Sequence, residues 1–202
     1  MRVIGLTGGM GTGKSEVATT LERLGASVID ADREGHEAYA KGTIGWRRIG
    51  ELFGDGVLTD DLEVDRRKLG QLVFSNPQAL GWLNSAIHPI IRDRIKAKLG
   101  AFAELGCAVA VIDAAVLVQA GWDDLVDEVW VVKAPEDQVV ERMAETRGLQ
   151  PWEVRGRIAA QEELVRESEA KAGVFIENTG TIEELWAKVE QLWNDRNPLI
   201  RQ

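Results

Sequence analysis

The chain has one cysteine, Cys107, in 202 residues, so no internal disulfide can form. This agrees with a reducing compartment. Cys107 opens an apolar run and is expected to be a buried structural thiol. Long apolar runs are missing as well. The longest, 107–112, is far too short to span a bilayer. The N-terminus lacks the layout of a secretory leader, because a glycine-rich motif begins at residue 8. A cytoplasmic protein without a membrane partner is therefore expected. Positive charge is scarce: 24 Lys and Arg face 33 Asp and Glu, a net charge of -9. That argues against general nucleic-acid binding, which needs a basic face. An anionic ligand must instead meet a local cluster of Lys and Arg. No internal repeat or low-complexity stretch occurs, and only the last few residues read as a tail.

What the chain does have is Gly8-Gly9-Met10-Gly11-Thr12-Gly13-Lys14-Ser15, which fits the phosphate-binding pattern G-x-x-x-x-G-K-[ST]. Val3-Ile4-Gly5-Leu6 before it reads as a buried strand. Val17, Ala18, Leu21 and Leu24 after it recur at helical spacing. The motif thus joins a strand to a helix, the context it needs. Its glycines let backbone N–H groups turn inward around an anion, and the helix N-terminus adds favourable partial charge. In that setting Lys14 reaches the β- and γ-phosphates and Ser15 holds Mg²⁺. The N-K-x-D string expected of a guanine-specific protein does not occur.

The remaining pattern alternates buried strands with helices. A second strand, 26–29, ends in Asp30-Ala31-Asp32. Ligands of open α/β sheets bind at the carboxyl ends of strands, so Asp30 or Asp32 is expected near the phosphates. The alternative is an acidic turn or a helix cap. Arg66-Arg67-Lys68 opens a helical stripe of Leu69, Leu72 and Val73. These cations suit either a solvated face or a phosphate clamp. Asn76-Pro77 begins a helix, His88-Pro89 interrupts it, and an amphipathic continuation runs to Gly100. By itself His88 reads as structural.

Three more strands are expected at 107–118, with Asp113 towards its end, at 128–133 and at 174–177. Val139, Val140 and Met143 mark one helix, and 152–172 another, in a stretch rich in arginine. Thr181-Ile182-Glu183-Glu184 is a capping box that opens the last helix, where Trp186 and Trp193 pack in a core or interface. The expected fold is α/β: a three-layer sandwich of the P-loop nucleoside triphosphate hydrolase type, with a five-stranded, doubly wound parallel sheet. Its core would be 1–59 and 106–202, with a strand-free helical substrate insertion at 60–105. An Arg-rich lid would span about 142–172. Such a lid excludes water, which competes with an acceptor hydroxyl for the γ-phosphate.

In order along the chain, five more stretches carry a resemblance: Gly5-Leu6-Thr7-Gly8-Gly9 running into the motif, Val28-Ile29-Asp30-Ala31-Asp32, Arg66-x-x-Leu69-x-x-x-Val73-Phe74, His88-Pro89-x-Ile91 and Ile176-Glu177-Asn178-Thr179-Gly180. Together with the 142–161 lid region, the chain resembles the dephospho-coenzyme A kinase family over nearly its whole length. Val111-Ile112-Asp113-Ala114-Ala115-Val116-Leu117, followed by Ala120-Gly121-Trp122, looks closer to the kinase domain of the animal bifunctional coenzyme A synthase. A stand-alone enzyme is expected. Where the family often has a glutamate after the third strand, Gln119 stands here.

The resemblance implies ATP-dependent phosphorylation of the ribose 3′-hydroxyl of dephospho-CoA, with Mg²⁺ as cofactor. It implies Asp32, Lys14 and Arg147 as the catalytic set, with Asp32 taking the hydroxyl proton. Gly11, Thr12, Gly13, Lys14, Ser15 and Glu16 would hold ATP, with Asn178 near adenine and Arg142 as a second lid arginine. Thr7, Asp32, Arg66 and His88 would serve dephospho-CoA, and Ser15 and Asp32 the metal. A monomer or weak homo-oligomer is expected.

Overall fold

The structure, a computed structural model, describes residues 1–196. The last residues, read above as a tail, lie outside that range. In chain order the elements begin β1 (Arg2–Gly8), α1 (Lys14–Arg23), β2 (Ser27–Asp30), α2 (Ala31–Ala38), α3 (Ile44–Phe53), α4 (Arg66–Phe74) and α5 (Pro77–Glu104). They continue with β3 (Val109–Asp113), β4 (Glu128–Lys133), α6 (Glu136–Arg147), α7 (Pro151–Ala160), α8 (Glu162–Ala170), β5 (Ala172–Glu177) and α9 (Ile182–Arg196). The chain divides into two compact units, one of Met1–Ile29 with the chain from Ala101, the other Asp30–Gly100.

In the first unit the strands form one sheet in the order β2-β3-β1-β4-β5. β1 pairs in parallel with β3, where Leu6 meets Asp113, and with β4, where Leu6 meets Trp130. β4 pairs in parallel with the edge strand β5. This is the five-stranded parallel sheet with helices that the pattern implies. β1, β3 and β4 are apolar almost throughout because helices cover both faces of a parallel sheet. Ile4, Leu6, Val111, Trp130 and Ile176 meet Val17 and Leu21 of α1 and Leu185, Val189 and Trp193 of α9 in one buried cluster. The α9 start is a capping box: the Glu184 carboxylate accepts from the Thr181 N–H at 3.0 Å, and the Thr181 hydroxyl from the Glu184 N–H at 3.3 Å.

In the second unit, helices α2 to α4 and most of α5 pack together. Glu34 of α2 is buried, with Arg94 Nε of α5 donating to its carboxylate at 3.0 Å and Lys98 forming a second ion pair. An isolated antiparallel bridge joins Leu58 to Val64.

Three element boundaries differ from the sequence pattern. The strand expected at 107–118 stops at Asp113, and the apolar residues beyond serve a turn that buries Leu117 and Trp122. α5 runs straight through His88-Pro89. Pro89 removes one backbone donor, but Ile87, Ile91 and Ile95 keep the same buried stripe on both sides of it. The single helix expected at 152–172 is two, α7 and α8, meeting at Gln161.

Candidate active site

β1 delivers the chain at Gly8 into the glycine-rich loop, and α1 begins at Lys14. Gly11 and Gly13 have φ of 71° and 96°, left-handed conformations that favour glycine. Space demands glycine too. A Cβ on Gly13 would lie 2.5 Å from Asn178 Nδ2, and one on Gly11 2.8 Å from Val139 Cγ1. Thr12 is buried and its hydroxyl donates to the Gly9 carbonyl at 2.9 Å. Gly13 is the N-cap of α1, and no side chain caps that terminus. Ser15 and Glu16 are exposed in the first turn. The loop therefore presents an open helix N-terminus, favourable for an anion.

The outer side of the loop is tied down by three side chains. Arg142 Nη1 of α6 donates to the Gly11 carbonyl at 2.8 Å. Asn178 Nδ2, following β5, donates to the Thr12 carbonyl at 2.9 Å. Gln161 Oε1 accepts from the Met10 N–H at 3.0 Å. Two successive carbonyls held outward leave neighbouring N–H groups turned to the other side, the arrangement of an anion nest. Asn178 is 6% exposed, and its own N–H is bound by the Lys133 carbonyl at 2.7 Å. Asn178 and Arg142, both expected to serve ATP, thus each bond a carbonyl of the loop.

Lys14 forms an ion pair with Asp113, the last residue of β3. Since β3 neighbours β1, the carboxylate stands at the carboxyl end of the sheet where the loop begins. The sequence pattern shows Asp113 at a strand end yet assigns it no role. The usable signal is the run Val109-Ala110-Val111-Ile112 closed by one acid. Among the described residues no group of three or more His, Cys, Asp or Glu could hold a metal ion. Mg²⁺ does not ask for one, because it keeps waters and binds through one or two protein oxygens plus substrate phosphates. The exposed Ser15 hydroxyl and the Asp113 carboxylate are donors of that kind.

Arg147 is the last residue of α6, exposed, and bonds no side chain among the described residues. Thr7 is fully buried, and its hydroxyl donates to the Ala115 carbonyl at 3.2 Å, fixing the turn after β3. A cavity of about 190 Å³ lies between the loop and the helices after β4, lined by Gly9, Met10, Val139, Ile158, Gln161 and Val165 among others. Gln119 is exposed in the turn after β3.

In the second unit, Asp30 accepts from the Arg33 N–H at 3.0 Å and is the N-cap of α2. Asp32, in the first turn of α2, is exposed. The cap alternative thus falls to Asp30. Arg66 opens α4 behind its N-cap Asp65, whose Oδ1 accepts from the Arg67 and Lys68 N–H groups at 3.0 Å each. Those backbone donors, Lys68 first, hold the Asp65 carboxyl below its ordinary pKa. Arg66 lines a polar cavity of about 180 Å³ with His36, Tyr39, Lys41 and Glu63. Burial pushes the Tyr39 hydroxyl upward, and the Arg66 charge opposes it. His88, half-buried in α5, is pushed below its ordinary pKa by desolvation, so it is neutral at physiological pH.

The family model described as dephospho-CoA kinase matches residues 2–184. A dephospho-CoA kinase of Geobacter sulfurreducens is 43% identical over 198 residues, covering 98% of this chain and 100% of that protein. A solved Thermus thermophilus protein superposes with a TM-score of 0.79 at 30% identity, covering 96% of this chain and 97% of its own. The solved dephospho-CoA kinase of Campylobacter jejuni gives a TM-score of 0.69 at 24% identity, covering 98% and 100%, a likeness of fold. On the family match and these nearly full-length relatives, the chain belongs to the dephospho-CoA kinase family.

Proposed function

We propose that this protein transfers the γ-phosphoryl group of ATP to the ribose 3′-hydroxyl of dephospho-CoA, giving coenzyme A and ADP. This is the last step of coenzyme A synthesis, carried out in the cytoplasm by a monomer or weak homo-oligomer. The observation that carries the ATP half is the glycine-rich loop with its carbonyls held outward. The acceptor follows from membership of the family.

The N–H groups of Gly11 to Ser15 hold the phosphates, with Glu16 in the following turn. Lys14 exchanges its partner Asp113 for phosphate oxygens and carries its charge to the transferred group. Ser15 and Asp113 would hold Mg²⁺, with Asp32 contributing through water. When bound, the metal neutralises charge shared between the β- and γ-phosphates. Asp32 accepts a hydrogen bond from the 3′-hydroxyl, orients it for in-line attack and takes its proton. Orientation dominates and proton removal is late, as suits a loose transition state. Arg147 stabilises the charge of the transferring group when the lid closes. Arg142 and Asn178 act on ATP through the loop they hold. Arg66 and His88 serve dephospho-CoA, while Thr7 acts from beneath by fixing the turn after Asp113.

Two variants at saturating ATP test the assignment of the base. Asp32→Asn is expected to lose about 10²–10⁴ in turnover, the span of a general base, with ATP affinity little changed. Asp30→Asn keeps an oxygen for the Arg33 N–H and is expected to be mild. The reverse pattern assigns the base to Asp30.

A further inference from the structure

Gln161 stands where α7 gives way to α8, and its side chain caps neither helix. Its backbone sits at φ -101° and ψ 0°, the bridge conformation of a tight bend. A glutamine at an exposed bend normally turns its carboxamide to water. Here Oε1 reaches across 151 residues of sequence to the Met10 N–H at 3.0 Å, a partly buried bond. The cavity beside it is lined by Gly9 and Met10 of the loop and by Ile158 and Val165 of the helices, and among the described residues Gln161 Oε1 supplies the polar contact between these helices and the loop. The next residue of the loop, Gly11, is held through its carbonyl by Arg142 of α6. One loop segment is thus gripped on its N–H from the α7–α8 bend and on its C=O from α6.

We propose that Gln161 is a positioning residue that ties the lid helices to the phosphate loop and couples ATP binding to lid position. A shift of the α7–α8 bend away from the loop breaks the Met10 bond and releases the loop's first turn. With the tie made, the loop is preorganised for phosphate, and ATP binds without the cost of ordering it. The inference rests on the reading of residues 8–15 as the ATP site.

The test compares wild type with Gln161→Met, of similar length but without the acceptor, and with Gln161→Glu, which keeps an acceptor oxygen. Hydrogen exchange of the 8–14 segment without nucleotide reads the tie itself. Gln161→Met is expected to speed exchange at the Met10 amide about three- to tenfold, the worth of one net hydrogen bond. Gln161→Glu is expected to match wild type. In steady-state kinetics Gln161→Met is expected to raise the KM for ATP about three- to tenfold, with the KM for dephospho-CoA unchanged. Unchanged exchange in Gln161→Met overturns the tie. Faster exchange with an unchanged KM for ATP overturns the coupling. Equal rises in both KM values mean a structural residue and overturn it too. Failure of every form to use ATP sinks the reading of the loop and leaves the exchange result to judge the tie.

Discussion

Among single residues, Lys14 carries the largest expected effect. Its ammonium pairs with Asp113 in this structure and is proposed to neutralise the transferred phosphate. Lys14→Ala is expected to lower turnover by about 10²–10³, the cost of one preorganised electrostatic donor, with the circular dichroism spectrum unchanged. Turnover within tenfold of wild type would reject the role. The two arginines of the proposed lid separate by what each touches. Arg142 holds the Gly11 carbonyl, whereas Arg147 makes no such bond. Arg142→Ala is therefore expected to raise the KM for ATP, and Arg147→Ala to lower kcat more than ATP affinity. Steady-state kinetics of both variants decide the assignment, and a swapped pattern exchanges the roles. The glycines, Lys14 and Ser15 are legible in sequence because the motif prescribes backbone conformation. The ties from Arg142, Gln161 and Asn178 are not, because they join positions more than 130 residues apart that share no local pattern.

At the scale of elements, Glu34 links α2 to α5 through Arg94 and Lys98. Its side chain is 2% exposed while its partners are 37% and 47% exposed, so they can turn to water when it is removed. Glu34→Ala is expected to cost about 1.5–3 kcal/mol, the worth of hydrogen bonds to a charged group, measured by urea unfolding. A loss below about 1 kcal/mol contradicts the link. In the sequence this glutamate looks like any other acid near Asp32; burial alone distinguishes it. Strand β4 and the α9 capping box were legible because pattern and boundary residues agree. The stop of β3 at Asp113 was hidden, because the apolar run continues into a buried turn. The continuity of α5 was hidden by Pro89, whose lost hydrogen bond is outweighed by a buried isoleucine stripe.

For the whole molecule, stability is expected to fall with acid in a window set by His88. Burial holds its pKa below the ordinary 6.5. Above 6.5 the imidazole is neutral folded or unfolded and contributes nothing. As pH falls through 6.5 the unfolded chain takes the proton first, so stability declines until the folded pKa is reached. Asp65 acts lower: its N-cap contribution is full above 3.8 and is lost as pH falls through its depressed folded value. Urea midpoints at pH 7.5 and 5.5 are expected to differ less in His88→Asn than in wild type. Equal differences show that His88 does not set this acid window. The α/β architecture was legible from alternating strands and helices. The start of the helical unit at Asp30 was not, since β2 passes into α2 with no linker between them.

Acceptor identity is tested by presenting ATP and Mg²⁺ with dephospho-CoA, AMP, CMP or shikimate while following ADP release and the phosphorus NMR spectrum of the product. Turnover with dephospho-CoA is expected, with a new 3′-phosphomonoester signal and ADP in equal amount, and far slower release for the other acceptors. ADP release that is faster with another acceptor, or that needs no acceptor, contradicts dephospho-CoA as the acceptor.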